Sequence, residues 1–130
     1  MFNNFTYEKL DSEEAEDLIE VVNTEASDLS TYLLFHLEVI NSTIEELKKD
    51  NAKLVQVSAI TVMLQAVFMA KKLLALIDGR RTSIKITTSE VESIKINAKA
   101  IINGIEEVAV LNKEHMLEVE PEELLVYMIV

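Results

Sequence analysis

LVQVSAITVMLQAVFMA, residues 54–70, carries no charged side chain; after Lys71 and Lys72 the apolar text resumes as LLALI. The reading of this stretch decides the fold. An ideal helix turns about 100° per residue. At that pitch Ser58, Thr61, Gln65 and Lys72 share one narrow sector, and the rest of the circumference is almost wholly apolar. One thin polar stripe marks a helix that neighbours cover on most sides. A membrane span needs roughly 20 apolar residues. The uncharged run is shorter and holds Gln56 and Gln65. Lys71, Lys72, Arg80 and Arg81 lie near the negative end of the dipole, and Gly79 suits a left-handed cap after Asp78. The segment is therefore expected to be the central helix of a soluble core, over 53–78, with no membrane partner.

The composition agrees with this reading. The chain has 130 residues, enough for one domain with a real core, and 1–130 is read as a single helical-bundle domain. Two glycines and one proline are too few turn formers for a many-stranded sandwich or barrel. There is no cysteine, which removes disulfides, thiolate nucleophiles and sulfur-ligated metals. The opening MFNNFTYEKLDSEE has neither a basic nor an apolar leader segment, so the expected location is cytoplasmic.

Two further helices follow from phase. Ala15, Leu18, Ile19, Val22, Ala26, Leu29, Leu33, His36, Leu37, Ile40, Ile44 and Leu47 share one face without a slip, which predicts one helix over 12–49. Asp11 and Glu14 are spaced as its capping box. The weak helix formers in NTEASDLST predict a kink near 23–28. A short link at 50–52 then implies an antiparallel pair. Val91, Ile94, Ala98, Ile101, Ile102, Ile105, Val108 and Ala109 line one face of a third helix over 89–112, opened by Ser89 and Glu92 as a capping box. Ile84, Lys85 and Ile86, within 83–87, read as a short strand or an extended linker. The tail continues from Pro121, Glu122 and Glu123, a helix-start pattern, into LLVYMIV at 124–130, a short apolar helix or strand. The fold class is thus all-α, an antiparallel bundle of long helices.

Chemistry is sparse. Gly79 and Gly104 stand 25 positions apart and cannot form a phosphate-cradling loop. Neither histidine follows a glutamate by three positions, so the Glu-x-x-His pairs of a di-iron bundle are missing. His36 reads as a core-edge side chain, and His115, with Glu118 after it, as a helix-end interaction.

Two charge features remain. Net charge is −11, with residues 1–50 and 105–130 acidic and 51–104 basic. Lys71, Lys72, Arg80, Arg81, Lys85, Lys95 and Lys99 make a basic stretch over 71–99 that could meet nucleic acid. It lacks interleaved exposed aromatics, however, since Phe68 alone lies nearby and reads as buried. Neutralisation of the chain's own acidic segments is the plainer reading. On the other side, Glu13, Asp17 and Glu20, with Asp28 beyond, project from one helical face and could hold Mg²⁺ through oxygen ligands. This pattern is faintly similar to that of the all-α nucleotide pyrophosphohydrolases, which hold Mg²⁺ with an EExxE and a later ExxD. Glu13, Glu14 and Asp17 would stand for the first motif and Glu25 and Asp28 for the second. Asp17 departs from the pattern, and the carboxylates lie opposite the apolar stripe.

The primary expectation is a non-enzymatic interaction or scaffold protein with no catalytic residue or cofactor. It would form a homo-oligomer through the 124–130 tail and the central helix. The alternatives are a Mg²⁺-dependent hydrolase using the 13–28 carboxylates and a nucleic-acid binder using 71–99.

Overall fold

The computed structural model describes residues 12–49 and 55–116. Three helices account for nearly all of them: α1 (Ser12–Leu47), α2 (Val57–Arg80) and α3 (Thr88–Met116). Among the described residues there is no strand; a 3-10 turn, Arg81–Ser83, leads into the 83–87 stretch, with extended backbone at Ile84. The 124–130 tail and Asp11 lie outside the described residues.

The three helices pack together on one apolar core. α3 meets both other helices more extensively than α1 and α2 meet each other. From α1 the core takes Val22, Leu33 and Ile40; from α2, Val67, Leu73 and Ile77; from α3, Ile94, Ile101 and Ile105. Each such side chain removed from water contributes about 1.5–3 kcal/mol before entropy is charged. The polar stripe of α2 is where the phase puts it: Ser58, Thr61 and Gln65 are exposed and Lys72 is half-buried.

α1 reaches 36 residues through an irregularity: Glu25 has φ −129° and ψ 34°, so two helical stretches join there. Nearby, the Thr24 hydroxyl donates to the Glu20 carbonyl at 2.7 Å. Such back-bonding competes with the helix's own ladder. The weak formers around this point also supply a tertiary clamp. Asn23 Nδ2 donates to the Ser83 carbonyl at 3.1 Å, and the Lys85 amide donates to Asn23 Oδ1 at 2.7 Å. One side-chain amide thereby satisfies two backbone groups of the α2–α3 connection.

Three local expectations need correction. α2 runs through Gly79 to Arg80, so Gly79 is no left-handed cap; the chain leaves α2 by tightening into the 3-10 turn. α3 is capped two residues earlier than Ser89 and Glu92. The Thr87 amide donates to Glu90 Oε1 at 3.2 Å, and the Glu90 amide donates to Thr87 Oγ1 at 3.2 Å. Both registers fit the sequence pattern, but Asn23 fixes the chain at Lys85, and Thr87 is the nearer cap. Finally, Phe68 is 42% exposed, not buried.

α1 and α3 come close together at Gly104. A Cβ built there would stand 2.7 Å from Ile40 Cγ2. Asn112 closes the other end: fully buried, it accepts from the Val55 amide at 2.8 Å through Oδ1.

Candidate functional site

The carboxylate face comes first. Glu13, Asp17, Glu20 and Asp28 are all exposed on α1. Glu14 accepts from Lys72 Nζ at 3.0 Å, so the nearest charge facing this part of α1 from α2 is a lysine. Glu14 and Asp17 share a small pocket with Leu18, Val21, Met69 and Lys72, while Glu25 and Asp28 line another, polar pocket beside Lys85 and Glu90. The residues of the two pyrophosphohydrolase-like motifs are therefore not brought together. No group of three His, Cys, Asp or Glu side chains among the described residues is placed to share a cation. A hard divalent ion wants six or more oxygens converging on it.

The basic stretch does not form one face either. Lys71 is buried at 3% exposure, Lys72 bridges to Glu14, and Lys95 is half-buried with Glu92 at 3.8 Å. Arg80, Arg81, Lys85 and Lys99 are exposed. Lys72 with Glu14, and Lys48 with Glu107 at 3.2 Å, join residues far apart in the chain. Such partly exposed pairs are worth about 0–1 kcal/mol each. Lys49 sits in the open beside Glu46. The hydrogen bond to Glu46, and then its charge, hold the ammonium above its ordinary value.

His36 is half-buried and packs against the rings of Tyr32 at 4.5 Å and Phe35 at 5.4 Å between centroids. That is a place at the core edge, not a base beside a nucleophile.

The feature that sequence reasoning missed is a groove. Because α1 and α2 make few mutual contacts, an open trough of about 530 Å³ runs between the C-terminal half of α1 and the N-terminal half of α2. Phe35, Val39 and Leu47 form its α1 side, Val55, Ala59 and Met63 its α2 side, and Glu38 and Glu46 also line it. Phe35 is 61% exposed and Val39 40%. The signal was present in the sequence. Phe35 and Val39 are spaced i, i+4 and lie off the core stripe of α1, a second apolar line on a helix that needs only one.

No family model, curated protein or solved structure matches the chain. The geometry of the described residues thus carries the functional reading. α2 with its extension, Ser58–Ser83, is long and apolar enough to cross a membrane by length and composition, and about half of its most apolar window (56%) is buried against the other helices. Among the described residues, the α1–α2 groove is lined by exposed apolar side chains and offers shape rather than catalytic groups.

Proposed function

We propose that the chain is a non-enzymatic, cytoplasmic helical interaction protein that self-associates through the α1–α2 side and its 124–130 tail. The observation that carries this reading is the pair Phe35 and Val39, large apolar side chains held exposed along an open groove. Exposed apolar surface that lines a groove marks interaction sites more often than isolated exposed side chains do. Val62 and Phe68 are further large apolar side chains exposed on α2, outside the groove lining.

The same reading includes an antiparallel arrangement of neighbouring helices. Glu14 with Lys72 at one end, and Leu47 with Val55 at the other, support opposite directions for α1 and α2. Asn23 with Lys85, Ile40 with Gly104, and Lys48 with Glu107 support a common direction for α1 and α3. That up-down-up course leaves the α1–α2 seam as the open side.

Multi-angle light scattering over a wide concentration range tests the function. The expected mass is that of two or more chains, falling to one chain in Phe35→Ser/Val39→Ser with the unfolding midpoint retained. A wild-type mass of one chain at every concentration defeats the proposal.

A further inference from the structure

We infer that the outer face of α3 pairs antiparallel with the same face of a second copy, about a twofold axis at Asn103. This face is distinct from the α1–α2 groove.

Ile96, Lys99, Asn103, Glu106 and Val110 follow one another along α3 at alternating steps of three and four. That alternation is the seven-residue repeat of a seam between two helices. At about 100° per residue all five lie roughly 140–180° around α3 from the buried Ile101. The stripe therefore points away from the core that α3 shares with α1 and α2. Ile96 is 64% exposed and Val110 58%. Lys99 and Asn103 are exposed between them, and Glu106 is half-buried.

The order of the stripe selects the partner. It reads apolar, cation, amide, anion, apolar. Turned end for end, it reads the same with the two charges exchanged. A second copy laid antiparallel thus sets Ile96 against Val110 and Lys99 against Glu106, each twice over. One turn further out, Glu92 comes opposite Lys113, again with opposite signs, although Glu114 stands beside that lysine. Parallel pairing would instead set Lys99 on Lys99 and Glu106 on Glu106. A foreign partner needs no such internal symmetry, whereas a second copy requires it, since a twofold contact must be self-complementary.

Asn103 falls on the axis and meets its own counterpart. An amide carries both donors and an acceptor, so two of them can exchange bonds. A single asparagine on a helix seam fixes register at a cost in affinity. Charge matters at longer range too. Copies of net charge −11 repel one another. The Lys99 and Glu106 charges cancel, so this stripe adds nothing to that repulsion. From Ile96 to Val110 the contact covers about four turns, roughly 21 Å. One helix of that length makes a small contact beside the about 1,200–2,000 Å² buried in stable pairs. By itself it is a weak, transient association, which a covalent trap reads better than a mass.

The chain has no cysteine, so single thiols can be placed at will. Asn103→Cys is treated with a short bismaleimide linker and resolved on a denaturing gel. Ser12→Cys, exposed on α1, sets the level of chance collision. The expected result is a two-chain adduct at position 103 well above that level; an equal yield overturns the inference. Mixed Ile96→Cys and Val110→Cys chains should join more strongly than either variant alone. Equal joining by each alone overturns the antiparallel register. Lys99→Glu, in the Asn103→Cys chain, should lower the adduct several-fold, and K99E/E106K should restore it. An adduct indifferent to Lys99→Glu, or not restored by the exchange at a retained unfolding midpoint, also overturns the pairing. In Phe35→Ser/Val39→Ser the adduct should persist. Its disappearance there would assign the contact to the groove and overturn the α3 face, while leaving the groove reading in place.

Discussion

Replacing each glycine by alanine should move stability in opposite directions. Both glycines lie inside helices, so intrinsic propensity favours alanine at either site by about 0.8–1 kcal/mol. At Gly79 nothing lies within 4 Å of an added Cβ and the backbone is not left-handed, so Gly79→Ala should stabilise by about 0.5–1 kcal/mol. At Gly104 the added carbon meets Ile40 Cγ2 at 2.7 Å. That methyl sits directly on a Cβ of a fully buried side chain and cannot swing aside. Overpacking of this kind costs about 1–3 kcal/mol, so Gly104→Ala should destabilise by up to about 2 kcal/mol after the propensity gain. Ile40→Leu moves the offending methyl off the β-branch at nearly constant volume. The double variant G104A/I40L should therefore recover most of the loss, with a coupling of at least about 0.5 kcal/mol. Urea unfolding of the four variants measures this directly. If Gly104→Ala stabilises as much as Gly79→Ala, α1 and α3 do not approach as closely as described, and the packing argument fails.

Other substitutions probe the links. Thr87→Ala should cost about 0.5–2 kcal/mol while Ser89→Ala stays near neutral; the reverse order in urea unfolding would restore the later capping box. Asn23→Ala removes the partners of the Ser83 carbonyl and the Lys85 amide. It should cost about 1–3 kcal/mol and speed hydrogen exchange at Lys85 well before the core exchanges. Asn112→Ala leaves the Val55 amide without its acceptor. A loss of about 1–3 kcal/mol is expected, and an unchanged unfolding curve would show that water replaces the bond without cost.

Periodicity carried the helices because core burial imposes a repeat that every residue on the face must obey. Ala15 through Leu47, and Val91 through Val108, are buried or half-buried as their phase demands. Local motifs were less decisive. TTSEVE offers two capping registers of equal quality, and the choice between them came from Asn23, more than 60 positions earlier. Asn23 itself reads as a helix weakener, and its partners are backbone atoms that carry no sequence signature. Gly79 looked like a terminator, but nothing requires a left-handed residue there once a 3-10 turn does the unwinding. Lys71 and Lys72 are neighbours of one type, yet one is buried and the other bridges to Glu14; phase places Lys72 alone on the polar stripe, but its partner follows from the position of α1. The groove was legible in part. Phe35 and Val39 lie visibly off the core stripe, but whether a second apolar line meets a neighbour or the solvent depends on how far α2 stands away.

The two asparagine clamps have a consequence for the order in which the molecule comes into being. Their bonds join positions 57 to 62 residues apart, so neither can form until the distant partner has been synthesised. α3, the helix that meets both others, is made last of the three and is 29 residues long. At roughly 5–20 residues per second, a nascent chain spends on the order of seconds with α1 and α2 complete and their shared partner missing. During that interval two amphipathic helices hold their apolar faces open, at the high local concentration of a polysome. If the chain pairs with its own kind, as proposed, it thus has a chance to meet a neighbour before its fold is finished.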